Sequence, residues 1–505
     1  MLTTSFADFL ALFGQFAGGI FPSDEDDDSS ANSNVDSERE EELGQSAYGS
    51  IDRTTCYRHA SLAFGDMASC VVSAPVAASE YRRPYRAPPA PIVVNSAAGL
   101  ASGQSSSVQK TFFLLIKSFI GSGVLFLPRA FYNGGLLFSS VLILVVAAMS
   151  LYTMLLLVQC HERVRCGYGE MGRRLFGKWM ENVVVGSILV SQIGFSCAGT
   201  IFVATNMRDL FNAATDCRFR LPLDFWVVAQ MAALVPLCLV RHIKGFSAVA
   251  LLADIFIVLG LLYVWGEDVA TLGKLGVSHV RNFNAENYSL FLGTAAYTFE
   301  GYALILPIAD SMSQPEKFPA VLSLVMVICA AVAVSIGALS YAAYGDKTEA
   351  IVLLNMPSKT AATLSVQLLY SLAILLSVPL MMFPVIRILE QALFPRRSGK
   401  LEARVKLQKN TFRTLLVAVV IGISAVGVER VDRLVSIIGG LACVPISFIF
   451  PPLFHLKAVA RTRWECGRNI VLAASGAVVC VYVTYEGLSR WREAGAPPHD
   501  FCDAG

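Results

Sequence analysis

The feature that most constrains this chain is a series of apolar runs that begins near Lys110 and continues to about Thr484. Many runs reach about 20 residues, the length that an α-helix needs to cross a bilayer. Because lipid offers no hydrogen-bond partners, helices satisfy their own backbones there. A hydrophobic fraction of 55% against 15% charged residues agrees with this interpretation. The sequence therefore predicts an all-α membrane protein rather than a set of soluble domains.

We predict eleven transmembrane helices from these runs. The fourth and ninth runs are short or closely flanked by charge, so they carry the weakest periodic signal. The predicted helices are Thr111–Phe131, Leu136–Val158, Asn182–Thr205, Leu223–Val240, Phe246–Trp265, Leu290–Ala309, Ala320–Tyr344, Ala361–Phe383, Thr414–Val428, Leu434–His455 and Ile470–Thr484.

The chain divides into three parts by composition: residues 1–107, 108–487 and 488–505. The first part is rich in Ser, Ala, Pro and charge, which predicts a disordered cytosolic arm. A basic, Pro-rich stretch from Arg82 to Pro91 either keeps this arm extended or docks a cytosolic partner. The middle part is the transmembrane domain, and the last is a short tail on the opposite side of the membrane.

Loops rich in Lys and Arg remain on the cytosolic side during insertion, which predicts the orientation. Basic residues follow the second, eighth and tenth predicted helices, and all three loops fall on one side. This places the amino terminus in the cytosol and the tail in a lumen or outside the cell. The basic residues are Arg163, Arg165, Arg173, Arg174 and Lys178; Arg396, Arg397, Lys400, Arg404, Lys406, Lys409 and Arg413; and Lys457, Arg461, Arg463 and Arg468.

Twelve cysteines are scattered along the chain without a Cys-x-x-Cys pair, and no His/Cys cluster has zinc spacing. We therefore expect neither a disulfide framework nor a metal site, and no cofactor. A net charge of +2 gives no global field for nucleic acid. No nucleophile, base and acid occur together in a pattern typical of an enzyme.

Two of the predicted helices contain matching interruptions. The first reads Gly-Ser-Gly at 121–123 and reaches Leu-Pro at 127–128, and the sixth reads Glu-Gly at 300–301 and reaches Leu-Pro at 306–307. Glycine weakens a helix and proline removes a backbone hydrogen bond, although each alone often serves only packing or a kink. The two motifs lie five helices apart, which is the spacing of a five-plus-five inverted repeat with binding at its broken helices.

In this interpretation, the freed amides of Gly121, Ser122 and Gly123 would hold a carboxylate at the positive end of a half-helix. Unpaired carbonyls near Gly301 would hold an ammonium group. A zwitterionic amino acid satisfies both ends at once, so it is the substrate class that the pattern favours.

Charged residues within apolar helices are costly, and they mark functional sites by default. Glu300 in the sixth helix is the best proton-carrier candidate. Asp254 and Lys117 pose the same problem, and they can solve it by pairing with each other or with Glu300, while Lys117 can alternatively extend to the headgroups. Lesser candidates, for which we expect interhelical hydrogen bonds, are Ser191, Gln192, Tyr297 and Ser377.

The segment Lys117–Phe131 resembles the first helix of the amino acid/auxin permease family. Three further segments resemble the same family, so the likeness spans residues 110 to about 486. They are Phe299–Gly301 with Leu306-Pro307 and Pro315–Pro319; Ser377–Pro379 with Phe383–Arg387; and Gly440–Pro445.

Within the amino acid/polyamine/organocation superfamily, the likeness is greatest to fungal vacuolar amino-acid exporters and lysosomal proton-assisted amino-acid transporters. It implies eleven helices, small neutral amino acids moved with protons, and a vacuolar or lysosome-like membrane, with the plasma membrane as alternative. Gly121, Ser122 and Gly123 would meet the substrate carboxylate, and Phe299, Glu300 and Gly301 would form the opposing wall. Tyr302 stands where many members have a smaller residue, which leaves the substrate's size open.

Two other functions remain open at this point. Sodium coupling would require a hydroxyl on the eighth helix near the first break, which Ser371 or Ser377 can supply. A nutrient sensor would bind amino acids and signal through the amino-terminal arm. Deleting the arm would abolish sensing but leave transport intact.

Overall fold

A computed structural model describes residues 107–119, 122–240, 246–356, 360–394, 403–492 and Cys502. The predicted arm and Gly121 lie outside these residues, and Ser122 is described by its backbone alone. The described part folds into helices. They are α1 Val108–Phe119, α2 Leu127–Gly134, α3 Leu136–Val164, α4 Tyr168–Phe176, α5 Lys178–Ala214, α6 Leu223–Ala229, α7 Met231–Leu239, α8 Phe246–Leu275, α9 Tyr288–Thr298, α10 Tyr302–Ser311, α11 Phe318–Tyr344, α12 Ala361–Leu393, α13 Ala403–Gly427, α14 Val431–Ile438, α15 Phe450–Ala458 and α16 Arg463–Ser489.

Eight helical stretches in the described part are long and apolar enough to cross a membrane, or nine if α1 and α2 count as one bent span. The apolar stretch Leu223–Leu239, which comprises α6 and α7, is shorter. This agrees with the weak signal of the fourth predicted helix, which breaks at Gln230 and contains Pro236 within α7. The prediction of an all-helical membrane protein is confirmed.

The stretch Arg404–Ala458 has 55 residues, far more than one crossing of a bilayer core about 30 Å thick requires. Its neighbours on α5 show that it reverses direction. The Sγ of Cys197 lies 3.6 Å from the Val420 carbonyl oxygen, and a Cβ on Gly194, less than one turn away, would meet Ile438. Residues 18 positions apart in sequence therefore lie beside neighbouring turns of α5, with a 3-10 turn at Val428–Arg430 between them.

Close backbone contacts at Gly293 and Gly439 hold α9 against the end of α14 and the turn that follows it. A Cβ on Gly439 would lie 1.9 Å from the carbonyl oxygen of Gly293, and one on Gly293 would lie 2.2 Å from that of Ser436. Small residues let membrane helices approach this closely, because no side chain stands between the two backbones. Gly439–Cys443 and Pro445–Ile449 then form π-helical turns, a rare geometry that is frequent at functional sites.

Helix α13 begins eleven residues before its predicted start, and this changes the role of one basic residue. Arg413 was assigned to a cytosolic loop, and that assignment is wrong. Its side chain is 5% exposed and binds Glu390 of α12 through two hydrogen bonds of 2.7 and 3.1 Å. Local charge counting cannot separate a loop arginine from one that neutralises a buried carboxylate of another helix.

Two further features were not expected from the sequence. The amphipathic helix α4 occupies the basic loop after α3. A disulfide joins Cys217, after α5, to Cys502, which lies 285 positions further along the chain. Its pairing depends on which ends of distant helices share one side of the molecule, and spacing along the chain does not encode that.

Replacing Arg413 by Met should lower the free energy of unfolding by about 3–5 kcal/mol, because it leaves the Glu390 carboxylate buried and unpaired. Apparent melting of the detergent-solubilised protein, followed by size-exclusion chromatography, measures this loss. Adding Glu390→Gln should recover part of it. Arg404→Met, at an exposed position on the same helix, is the matched control and should melt like the wild type. Equal melting of the two single variants would contradict the prediction.

Candidate functional site

The two interrupted segments of the sequence lie against each other in the structure. Helix α1 ends at Phe119, a 3-10 turn spans Ser122–Phe126, and α2 follows. On the other side α9 ends at Thr298 and α10 begins at Tyr302, so the backbone of Phe299–Gly301 is not helical. This stretch lacks the regular hydrogen bonds of a continuous helix, although the Gly301 carbonyl accepts from the Leu304 N–H at 3.0 Å.

Two glycines mark where the segments touch. A Cβ on Gly123 would lie 3.3 Å from Cε1 of Tyr297, and one on Gly301 would lie 2.5 Å from Cε1 of Phe119. Each glycine therefore faces an aromatic ring of the opposite segment. The sequence placed Gly123, Tyr297 and Gly301 in one site, and the structure brings all three together.

Aromatic side chains form the surroundings of this contact. Phe299 is 1% exposed, and Tyr297 is 3% exposed. The Tyr297 ring packs edge-on against Phe195 of α5 with centroids 4.6 Å apart. Edge-to-face packing of this kind fixes the orientation of both rings. The site is thus lined by rigid rings around a non-helical stretch of backbone.

Glu300 lies within the non-helical segment, between buried Phe299 and buried Gly301. Its Oε1 is shielded from solvent and has no hydrogen-bond partner among the residues that the structure describes. Tyr168 of α4, Tyr302 and Cys443 of the π-helical turns lie close enough to interact with it electrostatically. A carboxylate in such surroundings is costly unless it is protonated.

Tyr302 is fully buried, and its hydroxyl belongs to a polar network that the sequence did not reveal. The hydroxyl lies 2.6 Å from Oγ1 of Thr153 and donates to the Ser150 carbonyl at 3.1 Å, both on α3. The long Tyr302 side chain therefore reaches from α10 to α3 and joins the two helices. The only sequence signal was a large polar side chain within an apolar run.

Tyr168 was missed because α4 was missed. Its hydroxyl donates at 2.6 Å to the carbonyl of Ile446, within the second π-helical turn. Nearby, Nε2 of His161 on α3 lies 2.8 Å from Oδ1 of Asp310 on α10. Both contacts join parts of the chain that no local pattern links.

Lys117 and Asp254 pair with each other, which is the first of the alternatives that the sequence left open. The Lys117 Nζ lies 2.5 Å from Oδ2 of Asp254, so the pair joins α1 to α8. The side chains are 21% and 39% exposed, so the pair does not lie in the deepest core.

The prediction of interhelical hydrogen bonds from the lesser candidates is wrong for two of them. The hydroxyl of Ser191 donates to Ile188 and that of Ser377 to Ala373, within their own helices. A serine in a membrane helix readily satisfies itself on the preceding turn, and the sequence does not reveal this choice. Gln192 is buried on α5, and its backbone carbonyl accepts from the Ser196 hydroxyl.

The family model described as "Transmembrane amino acid transporter protein" matches residues 104–489, which include every element of this site. The chain belongs to this family of transmembrane amino acid transporters. Members of the family are transporters and not enzymes.

Curated relatives include two fungal proteins named vacuolar amino acid transporter 3. The protein of Schizosaccharomyces pombe is 42% identical over 75% of this chain and 58% of its own length. The protein of Saccharomyces cerevisiae is 42% identical over 77% of this chain and 57% of its own length. An Arabidopsis thaliana amino acid transporter is 26% identical over 79% of this chain and 96% of its own length. The chain thus spans less than two thirds of the fungal relatives' length.

Among solved structures, a mutant manganese transporter of Eremococcus coleocola aligns with a TM-score of 0.48 and 14% identity. The alignment covers 75% of this chain and 85% of that one.

Gly301→Ala should impair substrate binding, because a methyl group there would collide with Phe119. The matched control is Gly266→Ala on α8, where no described atom lies within 4 Å of an added Cβ. Alanine there should stabilise the helix by about 0.5–1 kcal/mol. Binding of labelled amino acids to the purified variants measures the difference. Adding Phe119→Leu to Gly301→Ala should restore part of the lost binding. Full binding by Gly301→Ala alone would contradict the contact.

Proposed function

We propose that this protein is a secondary active transporter that moves small neutral amino acids, together with protons, across a vacuolar or lysosome-like membrane. The observation that carries the proposal is the meeting of two interrupted helical segments beside a shielded carboxyl group, Glu300, in a chain of the amino acid transporter family. The names of the fungal relatives support the vacuolar membrane and amino acids as cargo.

In the proposed site, the substrate carboxylate binds backbone amides of Gly121, Ser122 and Gly123. Its ammonium group binds carbonyls of the non-helical stretch that ends at Gly301. Tyr297 and Phe299 enclose the side chain, which favours small apolar substrates because these rings are buried and tightly packed. A neutral amino acid matches a site in which the backbone supplies both partial charges.

Glu300 is the proposed proton carrier. Protonation makes it neutral, and a neutral acid is the form that its shielded Oε1 tolerates. Substrate and proton then occupy adjacent positions, so each favours the conformation that binds the other. Lys117 and Asp254 are proposed as a second proton-sensitive element, because protonating Asp254 would release the ion pair that joins α1 to α8.

We further propose eleven membrane crossings arranged as a five-plus-five inverted repeat and one additional helix, with the first and sixth crossings broken. This count treats α1 with α2 as one crossing, α6 with α7 as one short crossing, and the Arg404–Ala458 stretch as two. The proposed domains are a cytosolic arm at 1–107, the transporter domain at 108–487 and a lumenal tail at 488–505.

The proposed orientation places the amino terminus in the cytosol and the tail in the lumen. The disulfide supports it, since Cys217 and Cys502 would then be separated by eight crossings and share the lumenal side. An oxidising lumen allows such a bond to persist, whereas the cytosol keeps thiols reduced.

We expect purified protein in liposomes to accumulate labelled neutral amino acids when a pH gradient is imposed. Glu300→Gln should bind substrate but lose accumulation, because it cannot exchange a proton. Glu286→Gln, an exposed carboxyl replacement just before α9, is the matched control and should accumulate like the wild type. Uptake under a pH gradient, a sodium gradient or neither distinguishes the coupling ions.

Each other outcome identifies a different function. Accumulation that follows sodium and not pH would replace proton coupling by sodium coupling, for which Ser371 offers a buried hydroxyl with no hydrogen-bond partner among the described residues. Binding without gradient-driven flux, together with loss of signalling when the amino-terminal arm is deleted, would identify a sensor.

The orientation has a separate test. A site for a sequence-specific protease inserted between Ser398 and Gly399 should be cut when the protease is added to the cytosolic face of intact vacuoles. The two halves should stay joined on a non-reducing denaturing gel, because Cys217 lies in one and Cys502 in the other, and reduction should separate them. In Cys502→Ser they should separate without reductant. Cleavage only from the lumenal side would reverse the orientation.

A further inference from the structure

Helix α8 carries a buried acidic residue, Asp268, that the proposed mechanism does not use. Asp268 is 0% exposed and continues the buried stripe of Leu261 and Val264 at helical spacing. Leu262 and Val269, on the opposite side, are 54% and 59% exposed. The helix therefore turns large apolar side chains toward lipid and a carboxyl group into the protein.

The contacts of Asp268 satisfy only one of its two oxygens. The hydroxyl of Ser340 on α11 donates to Oδ2, so the carboxyl group joins α8 to α11. Oδ1 is buried and has no hydrogen-bond partner in the part of the chain that the structure describes. A burial penalty of this kind persists only where the group is neutral or functional.

Three other carboxyl groups within the described helices have basic partners. Glu390 binds Arg413, Asp254 binds Lys117, and Asp209 lies 3.5 Å from Arg208. Within the described residues, Asp268 and Glu300 form no ion pair with Lys, Arg or His. Since no cation neutralises Asp268, a proton is the remaining way to remove its charge.

Asp268 also lies at the opposite end of α8 from Asp254. At about 1.5 Å per residue it is about 10 Å from Leu275, where α8 ends. The groups around it at this end are Tyr263, Glu267 and Lys274 on α8; Tyr341 and Tyr344 on α11; Thr363 on α12, which hydrogen-bonds Tyr263; and His279, Asp346 and Lys347 in the adjoining loops.

We propose that Asp268 is a second proton-binding residue of the transport cycle, which senses the pH of the lumen. This inference rests on the proposed proton coupling and orientation. A proton from lumenal water adds to Oδ1 and forms one O–H bond, and the same proton returns to water when it leaves. The neutral acid fits the closed contact between α8 and α11, whereas the carboxylate disfavours it, so lumenal acidity favours closure of this contact.

The test compares Asp268→Asn, which mimics the neutral acid, with Glu286→Gln, an exposed carboxyl replacement, as matched control. Proteoliposomes of known orientation are assayed for uptake driven by a pH gradient and for amino-acid exchange at equal pH. We expect Asp268→Asn to retain exchange and lose the dependence of transport on lumenal pH, while its dependence on cytosolic pH remains. Glu286→Gln should behave like the wild type.

A second variant covers the case in which Asp268→Asn does not fold. Ser340→Ala removes the hydrogen bond that stabilises the carboxylate, so the midpoint of the lumenal pH dependence should move to higher pH. If Asp268→Asn or folded Ser340→Ala keeps the wild-type lumenal pH profile, the inference is wrong while proton coupling stands. If the wild type itself shows no pH-driven uptake, the proposed function fails and this inference fails with it.

Discussion

The rest of the structure depends on one constraint: within a membrane, every polar group must find its partner inside the protein. Arg413 and Glu390 satisfy it with two short hydrogen bonds between α13 and α12. Lys117 and Asp254 satisfy it between α1 and α8. Tyr302 satisfies it through hydroxyl and carbonyl groups of α3. Each of these contacts also fixes where one helix lies relative to another. The same hydrogen bonds and ion pairs therefore neutralise buried polar groups and set the arrangement of the helices.

Glu300 and Asp268 are two carboxyl groups for which the described structure leaves this constraint incompletely satisfied. Each has a shielded carboxyl oxygen without a hydrogen-bond partner among the described residues. Protonation relieves both, and it can be reversed when water gains access. A transporter driven by a proton gradient needs groups whose stable form changes with their surroundings, and a fully paired carboxylate such as Glu390 cannot serve in that way.

Close packing of small residues makes the candidate site possible. Gly293 and Gly439 bring two backbones into contact, and the π-helical turns follow directly from that point. Gly123 and Gly301 admit aromatic rings from the facing segment. A methyl group on Gly293 or Gly439 would press on the facing backbone, and one on Gly301 would collide with Phe119 beside the non-helical stretch Phe299–Gly301.

The sequence by itself determined the membrane class, most of the helices, and the two segments around Gly123 and Gly301 that meet at the site. It could do so because apolar length, glycine and proline act locally on the chain. The partners of Arg413, Tyr302 and Asp268, the pairing of Cys217 with Cys502, and helix α4 were decided only by the tertiary structure. Those features depend on which distant residues come to share one layer of the folded protein, and no local pattern along the chain contains that information.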